Sequence, residues 1–204
     1  MKKNAIKSNE LFYIQHINDA ELTDDELRSF SVKYKEAQNL AKYIQFGQAE
    51  ADEDSYLSRT YIVRDNISDE LVSYFSLKAG MMSHDEKTVN GKTIFNTRPG
   101  IELSNFAVNY TYVKNHSKMK GCGLIIFIDF IRPLCLEVSP IIGVKDLYIF
   151  ALPIDDLMQR YAKDYDFQRL YEISENQLHS RLKPEYDENC VFMFQQLHKE
   201  LKDI

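Results

Sequence analysis

Residues 101–126 read IELSNFAVNYTYVKNHSKMKGCGLII, and this stretch is the most informative part of the chain. Its first eight residues form a candidate apolar strand, and an apolar run that begins at Leu124 predicts a helix. The segment between them contains two glycines, three lysines and one histidine, and no acidic residue. Glycines let backbone N–H groups approach an anion closely, and the N-terminus of a helix attracts negative charge. Residues 118–124 therefore predict a phosphate-binding turn.

The glycine pattern of this turn is short, so it also fits a tight strand-to-helix connection whose glycines serve packing alone. The turn lacks the Gly-Lys-Ser/Thr ending of a P-loop, which argues against nucleotide hydrolysis. It also lacks the third glycine of a dinucleotide-binding fingerprint. The two common nucleotide-binding motifs therefore do not explain this turn.

Length and composition predict a single globular domain. The chain has 204 residues, of which 44% are hydrophobic and 27% charged, enough for one core and short for two domains. We expect residues 1–9, which are polar, to be disordered and residues 10–204 to form one domain. The longest apolar run is far below the ~20 residues of a membrane span, and the N-terminus lacks the apolar core of a signal peptide. We therefore expect a cytoplasmic protein with no membrane partner.

Charge and side-chain spacing narrow the classes of function. A net charge of −6 and a pI of about 5.4 argue against general binding of duplex nucleic acid, although residues 111–121 are locally basic. Three cysteines without metal-ligand spacing predict free thiols in a reducing compartment. The five histidines show no HxH or HxxxH spacing, so the sequence predicts no metal site. A serine hydrolase would need a Gly-x-Ser-x-Gly elbow, which the sequence does not contain.

Hydrophobic periodicity and turn residues predict strands interspersed with helices. The predicted strands are residues 11–15, 60–64, 71–77, 101–109, 147–152 and 190–197. The predicted helices are residues 32–46 and 154–165, a short helix that a capping box opens at residues 23–26, and a helix after the glycine turn. We also expect an acidic loop at residues 50–55 and a tight hairpin tip at Asn90-Gly91.

The pattern Lys118-x-x-Gly121-x-Gly123, after a strand that ends in Ala107-Val108, resembles motif A of the GNAT acetyltransferases. That motif is usually Gln/Arg-x-x-Gly-x-Gly/Ala, so lysine at the first position is a departure. The resemblance implies that backbone amides of the turn hold the pyrophosphate of acetyl-CoA, at Lys118, Lys120, Gly121, Cys122, Gly123 and Leu124. A helix start beside lysines would lower the pKa of a thiol. Because the middle position of the motif varies in the family, we nevertheless interpret Cys122 as incidental.

The resemblance extends over residues 30–197 and implies the GNAT fold, an α/β fold with a mixed, mostly antiparallel sheet flanked by helices. Residues 59–63 and 71–77 are similar to a strand pair of this family, with Ser73 in place of the usual glycine. With residues 30–49, the pair is most similar to the branch that contains the acetyltransferase toxins of bacterial toxin–antitoxin pairs.

In GNAT enzymes the strand before motif A acts through its backbone. A bulge frees an amide that polarises the thioester carbonyl, and the pantetheine arm adds alongside like an extra strand. The resemblance implies this role for three residues, Phe106, Ala107 and Val108.

Two side chains are candidates for proton transfer. Glu102 resembles the general base of some family members, and the alternatives are a solvated carboxylate, a salt-bridge partner or deprotonation through water. Tyr161 resembles the tyrosine general acid on the last core helix of the family, with Asp166 in place of the glycine of that signature. Tyr165 competes with Tyr161 for this role, and core packing would also explain either tyrosine.

The resemblance therefore implies an acetyl-CoA-dependent N-acetyltransferase that moves an acetyl group directly from the thioester to an amine of a small molecule or protein. A second hypothesis is a toxin that acetylates the amino acid on charged tRNA and that an antitoxin blocks. A third is a non-catalytic CoA-binding module. A homodimer is compatible with all three.

Overall fold

The computed structural model describes residues 4–182 and 189–198. The chain forms two units, and each of them is discontinuous in sequence. Unit 1 is built from Met1–Lys78 and Leu103–Ile131, and unit 2 is built from Ala79–Glu102 and Arg132–Ile204. Residues 79–102, which contain the β-hairpin tip at Asn90-Gly91, therefore belong to unit 2 although they lie between the two segments of unit 1.

Unit 1 contains sheet strands in the order β1-β2-β3-β4-β5. These are β1 (Lys7–Ser8), β2 (Phe12–His16), β3 (Arg59–Asp65), the first part of β4 (Leu71–Val89) and the last part of β5 (Lys92–Val108). Strands β1 to β4 pair antiparallel. Their apolar side chains favour strands and fill the core, where Phe12, Ile14, Ile62 and Val63 are fully buried. The predicted strands at the start of the chain are confirmed.

The N-terminal segment differs from the predicted disorder of residues 1–9. Lys7–Ser8 pairs with β2. The side-chain oxygen of Asn9 accepts hydrogen bonds from the backbone N–H groups of Leu11 and Phe12, at 2.8 and 2.7 Å. These contacts order a segment whose polar composition alone predicts fraying; the first three residues lie outside the described part of the chain.

Unit 1 also carries helices α1 (Asp24–Ser29), α2 (Gln38–Gln45), α3 (Gln48–Asp54), α4 (Tyr110–Asn115) and α5 (Cys122–Ile126), and a π-helical turn at Phe127–Ile131. The predicted capping box is confirmed, because Thr23 and Glu26 satisfy each other's backbone N–H groups at the start of α1. The predicted acidic loop at residues 50–55 is wrong. Helix α3 covers most of that segment and buries the carboxylates of Asp52 and Glu53.

Unit 2 contains strands in the order β5-β6-β8-β7. The further strands are β6 (Asp146–Ala151), β7 (Gln168–Arg169) and β8 (Val191–Gln196), and the helices are α6 (Arg132–Ile142), α7 (Asp155–Lys163) and α8 (Glu172–Leu182). Strand β6 runs parallel to β5 and antiparallel to β8, and β8 pairs antiparallel with β7. A mixed sheet with flanking helices confirms the predicted α/β fold class.

Strands β4 and β5 are joined at the predicted hairpin tip. Asn90 and Gly91 both have positive φ, 52° and 73°. This is the backbone that a two-residue type I′ turn requires, and Asn-Gly is its preferred sequence. Both strands are longer than the sequence predicts.

The helices of the protein are short. The longest of those described here, α6 and α8, have 11 residues each. Within the described residues, none of the helices combines the length and the apolar character that crossing a membrane requires.

Candidate active site

The glycine turn lies in unit 1, between α4 and α5. After α4, Ser117–Met119 forms a 3₁₀ turn, and Gly121 then takes a φ of +87° as the residue before α5. Only glycine adopts this conformation without strain. A Cβ built on Gly121 would meet nothing within 4 Å, and Lys118 and Lys120 beside it are exposed. The backbone of the turn is therefore open to an anionic group.

The start of α5 faces the core of unit 1. Cys122 and Gly123 are buried, and half-buried Leu124 donates its N–H to the carbonyl of Gly121 at 3.0 Å. Burial raises the pKa of the Cys122 thiol to about 11, and this outweighs the backbone hydrogen bonds that favour the thiolate. The lowering expected from a helix start is therefore not found. Cys122 is therefore a buried, protonated thiol at neutral pH.

A tyrosine on α4 connects the turn to the sheet of unit 1. The hydroxyl of buried Tyr112 donates a 2.5 Å hydrogen bond to Asp65 at the end of β3. Its ring stacks on His116, the C-cap of α4, with ring centroids 4.4 Å apart. Nε2 of His116 lies 2.8 Å from a carboxylate oxygen of Glu70. Helix α4, for which the sequence predicts no element, is thereby fixed directly before the glycine turn.

The buried carboxylate of Asp65 accepts several hydrogen bonds. It accepts bonds from the backbone N–H groups of Ile67 and Ser68, at 2.7 and 2.9 Å, in addition to the bond from Tyr112. Burial acts to raise the pKa of Asp65, but these hydrogen bonds and nearby His116 together lower it below its ordinary value. Asp65 is therefore ionised at neutral pH, and its role is to hold α4 through the hydrogen bond from Tyr112.

Strand β5 brings to unit 1 the three residues predicted to act through their backbone, Phe106, Ala107 and Val108. The hydroxyl of Ser73 donates a 2.8 Å hydrogen bond to the carbonyl oxygen of Ala107. Beyond the strand end, the N–H of Asn109 donates to the carbonyl of Val72, also at 2.8 Å. The serine that replaces the usual glycine thus helps to fix the backbone at Ala107.

Glu102 lies in unit 2, at the last parallel pair that β5 forms with β6. Its side chain is half-buried, and the hydroxyl of its register partner Tyr148 lies 3.3 Å from Oε2. Sequence reasoning missed Tyr148. The role of Glu102 as the base stays a prediction, and its carboxylate now has a defined hydrogen-bond donor.

Tyr161 lies on α7 in unit 2, half-buried between aromatic rings. Its ring makes edge-to-face contacts with Tyr165 and Phe167, at centroid distances of 5.4 and 5.8 Å. Burial raises the pKa of Tyr161 to about 12, so its hydroxyl is protonated at neutral pH. Asp166 has a φ of +57°, the left-handed conformation that glycine favours at this position of the signature. The choice between Tyr161 and Tyr165 as the acid stays open.

The candidate residues fall into two sets. Unit 1 holds the glycine turn and the end of β5, and unit 2 holds Glu102 and Tyr161. Among residues 4–182 and 189–198, no three His, Cys, Asp or Glu side chains are grouped so that they could hold a metal ion.

No family model and no curated protein matches the chain. A tyrosine-to-phenylalanine mutant of KacT matches with a TM-score of 0.63 and 14% identity, over 92% of this chain and 96% of that chain. AtaTR bound with AcCoA matches with a TM-score of 0.55 and 15% identity, over 93% and 95%. AtaT complexed with acetyl-methionyl-tRNAfMet matches with a TM-score of 0.58 and 16% identity, over 91% and 94%. At this level of identity the likeness shows the fold: the chain has the GNAT fold of KacT and AtaT.

Proposed function

We propose that the protein is an acetyl-CoA-dependent N-acetyltransferase that transfers an acetyl group directly to an amine. The observation that carries this proposal is the turn at Gly121, which is open, left-handed and placed after β5 as motif A of the GNAT family is. The AcCoA bound to the neighbour AtaTR supports the same ligand. The pyrophosphate of acetyl-CoA would lie against Lys118, Lys120, Gly121, Cys122, Gly123 and Leu124.

The end of β5 and two side chains would supply the remaining chemistry. A backbone N–H at residues 106–108 polarises the thioester carbonyl. The amine nitrogen bonds to the carbonyl carbon and its proton passes to Glu102, while the carbon–sulfur bond breaks. Tyr161 gives its proton to the departing thiolate, and exchange with solvent restores both side chains. Because Cys122 is a buried, protonated thiol, transfer through a cysteine intermediate is not part of this proposal.

Aminoacyl-tRNA is the second candidate class of acceptor. It is favoured by the neighbour AtaT, which is complexed with acetyl-methionyl-tRNAfMet. It is also favoured by three exposed lysines at and before the glycine turn, Lys114, Lys118 and Lys120. The net charge of −6 argues against it as a property of the whole surface. On this alternative the protein is a toxin with an antitoxin partner.

Release of free CoA tests both candidates. The protein is mixed with acetyl-CoA and with one acceptor at a time: small amines, peptides with free amino groups, or aminoacyl-tRNA. Release with an acetylated product in the mass spectrum supports the transferase, and release with aminoacyl-tRNA alone selects the toxin-type reaction. Binding of acetyl-CoA without release for any acceptor leaves the non-catalytic CoA-binding module. Absence of binding contradicts the proposal.

We further propose that residues 10–204 act as a single GNAT-like domain in the cytoplasm, alone or as a homodimer. If the protein is a single domain, two different spectroscopic probes should report the same cooperative unfolding transition. Two separate transitions would contradict it, and light scattering of the native protein would distinguish monomer from dimer.

A further inference from the structure

The ring of Tyr148 occupies a space that two glycines leave open. A Cβ on Gly80 of β4 would lie 1.9 Å from the Tyr148 hydroxyl oxygen, and a Cβ on Gly100 of β5 would lie 2.9 Å from two ring carbons. Neither glycine has a positive φ. Backbone conformation therefore does not require glycine at these two positions, whereas the tyrosine ring does.

The position of this ring is also fixed from its other sides. Tyr148 is 4% exposed and belongs to a buried cluster with Met82, Leu178 and Phe192. Its ring centroid lies 5.5 Å from that of Phe192. A tyrosine that is packed so closely has little freedom to turn its hydroxyl elsewhere.

The hydroxyl held in this way points at Glu102. The two residues are register partners on parallel strands, and the hydroxyl oxygen lies 3.3 Å from Oε2 of Glu102. The geometry points to Tyr148 as a positioning residue for Glu102, and this inference rests on the proposed function, in which Glu102 is the base. Tyr148 donates to one carboxylate oxygen of Glu102 and restricts the rotation of that side chain. Donation to a carboxylate also favours its ionised form, which is the form a base needs.

Charged groups on the neighbouring elements lie near Tyr148 and Glu102. On β5 and β6, Arg98 donates to Asp146 at 2.9 Å, and this pair lies on the same face as Glu102. On α8, which contributes Leu178 to the cluster, His179 lies 3.5 Å from Glu175. Strand β4 contributes Gly80 and Met82, and the charged Lys78 lies on the same face of that strand.

The test is Tyr148→Phe, which keeps the ring between the glycines and removes only the hydroxyl. We expect the acidic limb of the kcat/KM profile to move to higher pH by about 0.4 to 1 unit, the equivalent of one net hydrogen bond. The KM for acetyl-CoA should stay at the wild-type value. Tyr74→Phe is the matched control, because Tyr74 is fully buried and its hydroxyl donates to the Leu40 carbonyl in unit 1. Its acidic limb should stay in place, and an unmoved limb in Tyr148→Phe would overturn the inference.

A second comparison separates positioning from general stability. In a Glu102→Gln background, Tyr148→Phe should change kcat by less than about twofold, because the group that it positions has already lost its function. Equal losses in both backgrounds would show a merely structural role and overturn the inference.

A third measurement does not depend on turnover. The carboxyl carbon of Glu102, followed by NMR through a pH titration, should respond at higher pH in Tyr148→Phe than in the wild type. A protein that transfers no acetyl group but shows this displacement would contradict the proposed function and support the contact. Identical titrations would contradict the contact whatever the activity.

Discussion

The hydroxyl of Tyr112 lies 2.5 Å from a carboxylate oxygen of Asp65, and both residues are buried. The hydrogen bond joins α4 to β3 across 47 positions of sequence. Because α4 ends at Asn115 and its C-cap His116 comes directly before the 3₁₀ turn that leads to Gly121, this bond fixes the entry into the glycine turn. The geometry of the proposed phosphate site thus depends on a contact that lies outside it.

Tyr112→Phe should lower the stability of the protein. The change removes a donor to a buried carboxylate, so we expect the free energy of unfolding at pH 7 to fall by about 1–3 kcal/mol. Urea denaturation measures this free energy of unfolding. Tyr56→Phe is the control, because Tyr56 is 83% exposed, and it should change the value by less than about 0.5 kcal/mol. Equal stabilities of Tyr112→Phe and the wild type would show that the bond contributes nothing.

The same carboxylate makes stability dependent on pH. Folding lowers the pKa of Asp65, so its contribution is present above the unfolded value of about 3.9 and is lost as the pH falls through the folded value. The wild type should therefore lose more stability than Tyr112→Phe between about pH 5 and pH 2. Urea denaturation of both proteins across this range measures the difference, and parallel losses would contradict the assignment to Asp65.

Gly121→Asp should weaken the binding of acetyl-CoA more than tenfold, or by more than about 1.4 kcal/mol in calorimetry. The new side chain would project a negative charge into the space proposed for the pyrophosphate. Gly143→Asp is a matched control, because Gly143 also has a positive φ, +71°, and open space around its Cβ position. It shares the backbone strain but lies in unit 2, after α6, and should bind acetyl-CoA normally. Equal losses in both variants would exclude the glycine turn as the phosphate site.

Tyr161→Phe should lower turnover by about 10²–10⁴-fold while acetyl-CoA binding stays near the wild-type value. Because burial raises the pKa of Tyr161 to about 12, the wild-type rate should show no basic limb from this group below about pH 10. Tyr165→Phe is the comparison, since its ring is the neighbour at 5.4 Å. A loss confined to Tyr165→Phe would transfer the role of the acid, and full activity in both would mean that the thiolate leaves without an enzyme acid.

Glu102→Gln should flatten the acidic limb of the rate–pH profile. Glutamine keeps the size of the side chain but cannot accept the proton of the amine, so the rate should fall at neutral pH and recover at high pH, where the amine is free. Steady-state rates between about pH 6 and pH 10 measure this. If Glu102→Gln instead raises the KM of the amine equally at every pH, the carboxylate is an anchor for a cationic acceptor.

Sequence predicts this structure best where neighbouring residues determine it. The capping box depends on Thr23 and Glu26, three positions apart, and the hairpin tip depends on two adjacent residues, Asn90 and Gly91. The left-handed turn at Gly121 is likewise a local consequence of glycine. These features need no knowledge of what the rest of the chain does.

Contacts between distant residues carry the remaining information, and they leave little trace in the local pattern. Helix α4 has no clear apolar period, and Tyr112 holds it to Asp65 from 47 positions away. The contact of Tyr148 with Glu102 spans 46 positions. The sequence signals it only indirectly, through the glycines at positions 80 and 100, which leave space for the Tyr148 ring on β4 and β5. Contacts between distant residues therefore determine the parts of the candidate site that hydrophobic periodicity does not predict.

The division of the chain at Lys78, Leu103 and Ile131 has a consequence for synthesis on the ribosome. Every residue of unit 1 has been made once Ile131 is added, but β6, β7 and β8 of unit 2 are still to come. Until Asp146–Ala151 emerges, β5 lacks the parallel partner of residues 100–102, and a nascent chain carries that strand edge uncovered.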